Sequence, residues 1–449
     1  MVEEDLMDRI LPALTLLVAL QAPAFGQPDP APAATQTESR TADLASAPGL
    51  LSDEPVAELE ALVAEALSRA PALAAKRAEI EARREMEAPA GALPDPMVEA
   101  ELQNIGFEPT VGSEEMSMLG VRARQGLPYP GKRAAARDVA RAETERARAD
   151  LAALERQVAA EVRSLYARVW ALDREREALA AADELVDLLE EIAHSRYSAG
   201  EGDQEGVLKI QVQELRIAEL VGDLAKERRT LVAELNRWLD RPGDAPVADT
   251  RLLPSSRPIG FDAERLALAG SAEVRRAQAT VIAAERRVAL ARLELKPNFS
   301  ANAGLAARGS YDPVVLLGFG VELPIWRRQK QLPMLRAAEY ELEAARREQA
   351  DAEAMVRFEA ASLLAAWQNA DEQANRYRQG ILPQTSAALA AARAGYLTGR
   401  GDFSTVIEDF NLWLEARVAL ARREADRFIA SVAFDRMTGT GSLLAGVKE

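Results

Sequence analysis

The sequence predicts an α+β chain of two tandem repeats, each made of one helix, a β-hairpin and a pair of long antiparallel helices. Three observations carry the prediction. Arg, Ala, Glu and Leu crowd residues 131 to 240 and 328 to 437, a composition that favours long helices because these side chains lose little rotamer freedom there. Two pairs of short segments alternate apolar and polar residues with the period of a strand. The pattern Tyr-x-x-Gly-x-Gly-Asp occurs twice, at Tyr197 to Asp203 and at Tyr396 to Asp402, with one offset of 199 for all four residues.

Bulk composition narrows the function classes. Aromatic residues are only 5% of the 449, so helices packed through Ala and Leu fit better than a large globular core. A formal charge of −16 argues against a nucleic-acid partner, which would need clustered Lys and Arg. Cysteine is absent, which rules out disulfides, thiolate chemistry and a lipid on an N-terminal Cys.

The elements follow in order. Residues 1–26 read as a signal peptide: Ile10 to Leu20 is an apolar run of h-region length, and small residues surround Ala24 and Gly26. Glu3, Glu4 and Asp5 make a poor n-region, so Met7 is the expected start. Residues 27–55, rich in Pro, Ala, Ser and Thr, read as a flexible leader. No later window is apolar for the 18 or more residues that a transmembrane helix requires.

The first repeat spans 56–241. Helical periodicity from Val56 to about Glu87 ends at Pro94 and Pro96, and a β-hairpin occupies 97–126 with a polar loop at Gly106 to Glu115. Leu127-Pro128-Tyr129-Pro130-Gly131 ends the hairpin, and nothing then breaks a helix from Lys132 to Ser198. Such a run would be about 100 Å long. Gly200 and Gly202 turn the chain, and a second helix completes a helical hairpin over 131–239. A Pro- and Ser-rich connector, 242–260, leads to the second repeat, 261–437. That repeat holds a helix, a β-hairpin at 298–324 with a loop at Ala307 to Pro313, and a helical hairpin at 328–436 whose first helix runs from Arg328 to Ala394. Residues 438–449 read as a tail.

Each of the four strands is apolar on one face only. Glu99, Glu101, Arg122, Arg124, Asn298, Asn302 and Glu322 fall on the other faces. Hydrocarbon forbids open sheet edges and single-chain outer-membrane barrels start at eight strands, so several chains would have to pool their strands. Two chains would supply eight and three would supply twelve, and the wider barrel better suits a water-filled lumen lined by those polar residues. An ordinary half-buried soluble sheet is the alternative for these strands.

These features resemble the TolC-like outer-membrane efflux proteins over about Val56 to Arg436. The motifs are the two Tyr-x-x-Gly turns followed by Val207, Leu208 and by Val406, Ile407, the Glu234-Leu235-Asn236 ending of the first half, and Leu127 to Arg133. The last of these, with Met116 to Gly120 before it, is similar to the heavy-metal-efflux branch. The resemblance implies a homotrimer with a 12-stranded β-barrel in the outer membrane and an α-helical barrel in the periplasm, joined by an equatorial region at the connector. It implies passive export of drugs or heavy-metal cations, with an inner-membrane pump, a periplasmic adaptor and outer-membrane lipid as partners, and neither cofactor nor catalysis.

By the same resemblance the adaptor meets the hairpin tips, at Tyr197, Gly200, Gly202 and Asp203 and at Tyr396, Gly399, Gly401 and Asp402. The periplasmic gate maps to Tyr396, Glu408 and Asn411, with Asp409 beside them. Lys209 is the first-half counterpart of Glu408.

Plainer readings stand beside these. Asp203 and Asp402 begin returning helices, where an Asp side chain caps free N–H groups. Glu408 and Asp409 could decorate a solvated face. His194 has no neighbour at i+4 that would complete a metal site. Met97, Met116 and Met118 fall on the polar strand face, where soft cations are a possible contact but simple packing is the commoner role. A periplasmic coiled-coil adaptor is the main functional alternative, although it normally has one helical hairpin and this chain has two. No G-x-S-x-G, P-loop or H-E-x-x-H pattern supports an enzyme.

Overall fold

The computed structural model describes residues 55–103, 114–200, 202, 204–248, 250 and 252–439. The expected signal peptide, residues 27–54 of the leader and residues 440–449 of the tail lie outside them, as does most of the first hairpin's loop. In chain order, helices α1 (Pro55–Arg69), α2 (Pro71–Glu85) and the single turn α3 (Glu87–Ala90) precede strands β1 (Met97–Gln103) and β2 (Met118–Leu127). Then come α4 (Lys132–Ser198), α5 (Gln204–Trp238), α6 (Ala263–Gly270), α7 (Ala272–Leu293), β3 (Asn298–Arg308) and β4 (Tyr311–Glu322). Helix α8 (Gln331–Arg376), a π turn (Tyr377–Ile381), α9 (Leu382–Leu397) and α10 (Phe403–Thr438) finish the chain. Residues 93–129 and 297–323 form a strand unit, and the other described residues form a helical unit.

In the helical unit, the helix expected over 56–87 is broken. Pro71 has no N–H to give and starts α2 at its first turn, leaving Ala70 extended at φ −52°, ψ 120°. The same bend recurs between α6 and α7 at Ser271, with φ −58° and ψ 128°, where the hydroxyl accepts the Val274 N–H at 3.2 Å. One repeat bends through proline and the other through a serine cap. The helix expected from Arg328 to Ala394 begins instead at Gln331 and widens into the π turn. Pro383 explains this: its nitrogen cannot donate to the Gln379 carbonyl and its ring crowds it, so the ladder opens by one residue.

Helix α4 is 67 residues long and packs against α5, α7 and α10. One buried cluster joins Leu59 and Val63 of α1, Leu73 of α2, Leu165 and Tyr166 of α4, Leu235 of α5 and Phe428 of α10. Around it the connector is tied down by polar groups. Asn236, fully buried, donates its amide to the carbonyls of Gly243 (3.3 Å) and Ala245 (2.9 Å). Buried Asp173 accepts from Arg228 Nε and from the Thr250 N–H and hydroxyl, each at 2.8 Å. A buried carboxylate is tolerable only when it is satisfied in this way.

In the strand unit the sheet order is β1-β2-β3-β4, antiparallel throughout. The loop expected at Ala307 to Pro313 is not a loop. Arg308 pairs with Tyr311, so Gly309 (φ 64°) and Ser310 make a two-residue turn. Pro313 lies inside β4, where an edge strand beside a register shift tolerates a missing N–H.

Candidate functional site

The two Tyr-x-x-Gly-x-Gly turns explain their own glycines. Gly200 (φ 74°) and Gly399 (φ 73°) take the left-handed conformation, and each donates its N–H to the tyrosine carbonyl three residues back, at 3.0 and 3.1 Å. The second glycine of each motif serves close approach. A Cβ on Gly202 would lie 3.3 Å from the Tyr197 nitrogen, and one on Gly401 3.1 Å from the Tyr396 nitrogen. The returning chain therefore folds tightly against the helix it left.

The two turns differ in their side chains. Tyr197 is 49% exposed, whereas Tyr396 is 7% exposed. The Arg196 guanidinium covers Tyr396, 4.7 Å from the ring centroid, and Arg196 Nη1 also donates to the Tyr396 carbonyl. Phe403 packs against that ring, with centroids 5.1 Å apart, and lies against Gly206 of α5. The α4 end, the second turn and the starts of α5 and α10 are thereby locked together.

Lys209 lies just beyond this lock. Its Nζ donates to Ser404 Oγ at 2.6 Å and pairs with Glu205 at 2.7 Å. The hydrogen bond to Glu205 holds the ammonium pKa above its usual value, and the charges of Glu205, Asp402 and Glu408 act in the same direction. One turn further, the Gln213 amide donates to Asn411 Oδ1 at 3.1 Å, again between α5 and α10. Asn411 thus accepts a neutral hydrogen bond within the chain.

The predicted gate residues have different surroundings within one chain. Tyr396 is buried, Asn411 is held by Gln213, Glu408 is exposed and facing the field of Lys209, and Asp409 is half-buried with no ion pair among the described residues. The capping expected of Asp402 takes a different form: it occupies the N-cap position (φ −89°, ψ 143°), but its carboxylate makes no capping hydrogen bond. Asp203 lies outside the described residues. His194 is exposed, with Nε2 3.7 Å from Glu190. Sequence reasoning missed Arg196, Ser404, Phe403 and Gln213. For Arg196, its place directly before the first motif's tyrosine was the available signal.

The sheet has its own functional geometry. Register puts Glu99, Glu101, Arg122, Arg124, Asn298, Asn302 and Glu322 on one face, through the pairs Glu99↔Arg122, Arg124↔Asn302 and Asn298↔Glu322. Arg122 bridges Glu101 at 2.9 Å, and Asn298 donates to Glu322 at 3.2 Å. Gly304 stands opposite Arg122 and Gly318 opposite Asn302, where a Cβ would strike the partner strand at 2.8 and 2.6 Å. The other face exposes Val98, Leu102, Leu305, Val315, Phe319 and, at 79%, Leu317. Met97 and Met116 are also exposed, so neither packs within the chain.

A water-exposed sheet with one large apolar face and two unpaired edges is unstable alone, and hydrocarbon satisfies the face. Residues 264–440, nearly all of the second repeat, match the family model described as "Outer membrane efflux protein". Over those residues the chain is similar to this outer-membrane efflux family. No curated protein matches the chain. Among solved structures, the outer membrane protein VceC from Vibrio cholerae is similar with a TM-score of 0.74 and 19% identity, over 85% of this chain and 96% of that one. The outer-membrane channel OprN is similar with a TM-score of 0.73 and 21% identity, covering 87% and 92%. The Campylobacter jejuni CmeC outer membrane channel gives 0.71 and 15%, covering 93% and 94%.

The chain thus has the TolC-like fold, long helices with four antiparallel strands among the described residues. The family model matched by the second repeat is one of outer-membrane efflux proteins, and these solved structures are outer-membrane proteins and channels.

Proposed function

We propose that this chain is one protomer of a homotrimeric exit duct that conducts cargo passively from an inner-membrane pump and a periplasmic adaptor to the exterior. The observation that carries the trimer is the sheet: among the described residues it has four strands, unpaired at β1 and β4, apolar on one exposed face and polar with glycines on the other. Hydrocarbon leaves no way to satisfy those edges except strands from other copies, and three copies pool twelve. The polar face with Arg122, Arg124 and Glu322 then lines the lumen. Channels of this family are trimers that work with an adaptor and a pump, which favours the same assembly.

In this reading the two turns, Tyr197 to Asp203 and Tyr396 to Asp402, are the adaptor-docking tips. Glu408 and Asp409 form the periplasmic constriction, since threefold symmetry gathers three copies of each carboxylate into a ring that attracts cations. Lys209 is the counter-charge that moderates this ring, and Asn411 is a hydrogen-bonded spacer. The Leu127 to Arg133 segment makes heavy-metal cations the first cargo to test, by restoration of metal tolerance in a strain lacking its own channel. Membrane fractionation tests the assembly itself: a heat-modifiable trimer in the outer membrane is expected, and a soluble monomer would refute it.

A further inference from the structure

We propose that the segment following β4, Ile325 to Arg336, is a docking surface for anionic phospholipid headgroups of the periplasmic leaflet. Between Leu323 and Ala338 the sequence holds Arg327, Arg328, Lys330 and Arg336 and no acidic residue, in a protein of net charge −16. Among the described residues none of these four cations has an ion pair or a side-chain hydrogen bond, although most arginines of the helical unit are paired.

The first repeat disposes of its corresponding cations differently. After β2, Lys132 is buried against Glu294 at 3.1 Å, and Arg133 Nε donates to the Gly91 carbonyl at 2.9 Å. Those charges are consumed by the fold. The charges after β4 are left for something outside the chain.

Their neighbours indicate what that is. Ile325 is 74% and Trp326 65% exposed, and Met334 is exposed as well. The turn is hydrogen-bonded, with the N–H groups of Gln329 and Lys330 both donating to the Trp326 carbonyl at 3.0 Å and that of Leu332 to the Arg327 carbonyl at 2.8 Å. Trp326 follows the last residue of β4 by four positions, so the chain between them reaches at most about 14 Å. An exposed Trp and Ile suit the boundary of the hydrocarbon, and adjacent unpaired guanidinium groups suit phosphate oxygens in fork geometry. A neutral or zwitterionic surface would leave four cations uncompensated. An anionic one neutralises them, and Lys and Arg near a membrane surface draw anionic lipid.

The test uses the full-length channel reconstituted in phosphatidylethanolamine vesicles holding a minor share of phosphatidylglycerol. Lipid retained after extraction is read by native mass spectrometry. Wild type is expected to retain phosphatidylglycerol preferentially, and the triple variant Arg327→Gln/Arg328→Gln/Lys330→Gln to retain it roughly tenfold less, with phosphatidylethanolamine and trimer content unchanged. Equal phosphatidylglycerol retention by both proteins overturns the proposal, as does loss of adaptor binding with lipid retention intact. If the triple variant does not assemble, the single variants Lys330→Gln and Arg336→Gln carry the same readout, each with a smaller loss expected and no loss overturning the proposal. The proposal rests on outer-membrane placement, whose failure would appear separately as wild-type protein absent from the outer-membrane fraction.

Discussion

Arg196, the last residue before the first turn motif, lies over the ring of Tyr396, the first residue of the second, with its guanidinium carbon 4.7 Å from the ring centroid. It also donates to the Tyr396 carbonyl. One side chain thus joins the two copies of a repeated motif and makes them unequal, because only Tyr396 is buried. Arg196→Ala removes a cation–π contact and a charged hydrogen bond, together about 1–3 kcal/mol of local stability. Amide exchange over residues 396–403 should accelerate by roughly tenfold or more, with little change in exchange around Leu165. Unchanged exchange at the second turn would mean the contact does not hold it.

The gate reading predicts that Glu408→Ala with Asp409→Ala raises single-channel conductance in planar bilayers and lowers cation preference. Lys209→Gln should do the reverse for selectivity, leaving the carboxylates less compensated and the channel more cation-selective. Identical conductance and selectivity in all three proteins would discard the constriction.

Tyr166 gives the protein an alkaline limit. Burial pushes its phenol up to about 12 from 10.0, with the charges of Glu58 and Asp173 adding to the effect. The raised value means that the folded state keeps a proton which the unfolded state releases. Stability is therefore full below pH 10.0 and falls as pH rises toward about 12, by roughly 2–3 kcal/mol. Tyr166→Phe should flatten that slope in thermal unfolding measured from neutral to alkaline pH, though it also loses the hydroxyl's bond to the Leu252 carbonyl.

Asp173 anchors the connector through Thr250 and pairs with Arg228. Asp173→Ala removes the buried carboxylate that accepts from the Thr250 N–H and hydroxyl and from the partly exposed Arg228, a change that costs about 1–3 kcal/mol. Thermal unfolding should shift accordingly, and limited proteolysis should cut first within residues 243–256. Cleavage at the turns instead would show that the connector is held by other contacts.

Leu317 reports on the lipid face. Leu317→Arg should impair outer-membrane insertion by about 2–4 kcal/mol if the residue lies near the bilayer midplane, seen as lost heat-modifiable trimer. Asn302→Arg, on the opposite face of the same sheet, should insert normally.

Much of the fold was legible because helices, strands and turns obey local rules. The period-2 alternation near Val98, Val121, Phe299 and Phe319 identified strands, and it also put the polar residues on one face, since parity alone fixes a strand's faces. The Gly200 and Gly399 turns could be read from residue type, because a left-handed φ selects glycine. Where the structure departs from local periodicity, one residue with a local effect is the cause. Pro71 split the first helix, Pro383 opened a π turn, and Gly309 shortened the second hairpin's loop to two residues.

The candidate site was less legible. Arg196 with Tyr396, Lys209 with Ser404 and Gln213 with Asn411 are separated by 200, 195 and 198 residues. The sequence by itself determined the two repeats, the turn chemistry and the amphipathic strands, each set by backbone geometry and periodicity within a few residues. Only the tertiary structure decided that one tyrosine of the repeated Tyr-x-x-Gly pair is buried and the other exposed, and which cations are paired. Those outcomes depend on which side chains the packing of α4, α5 and α10 brings together, and contacts across nearly two hundred residues leave no local pattern.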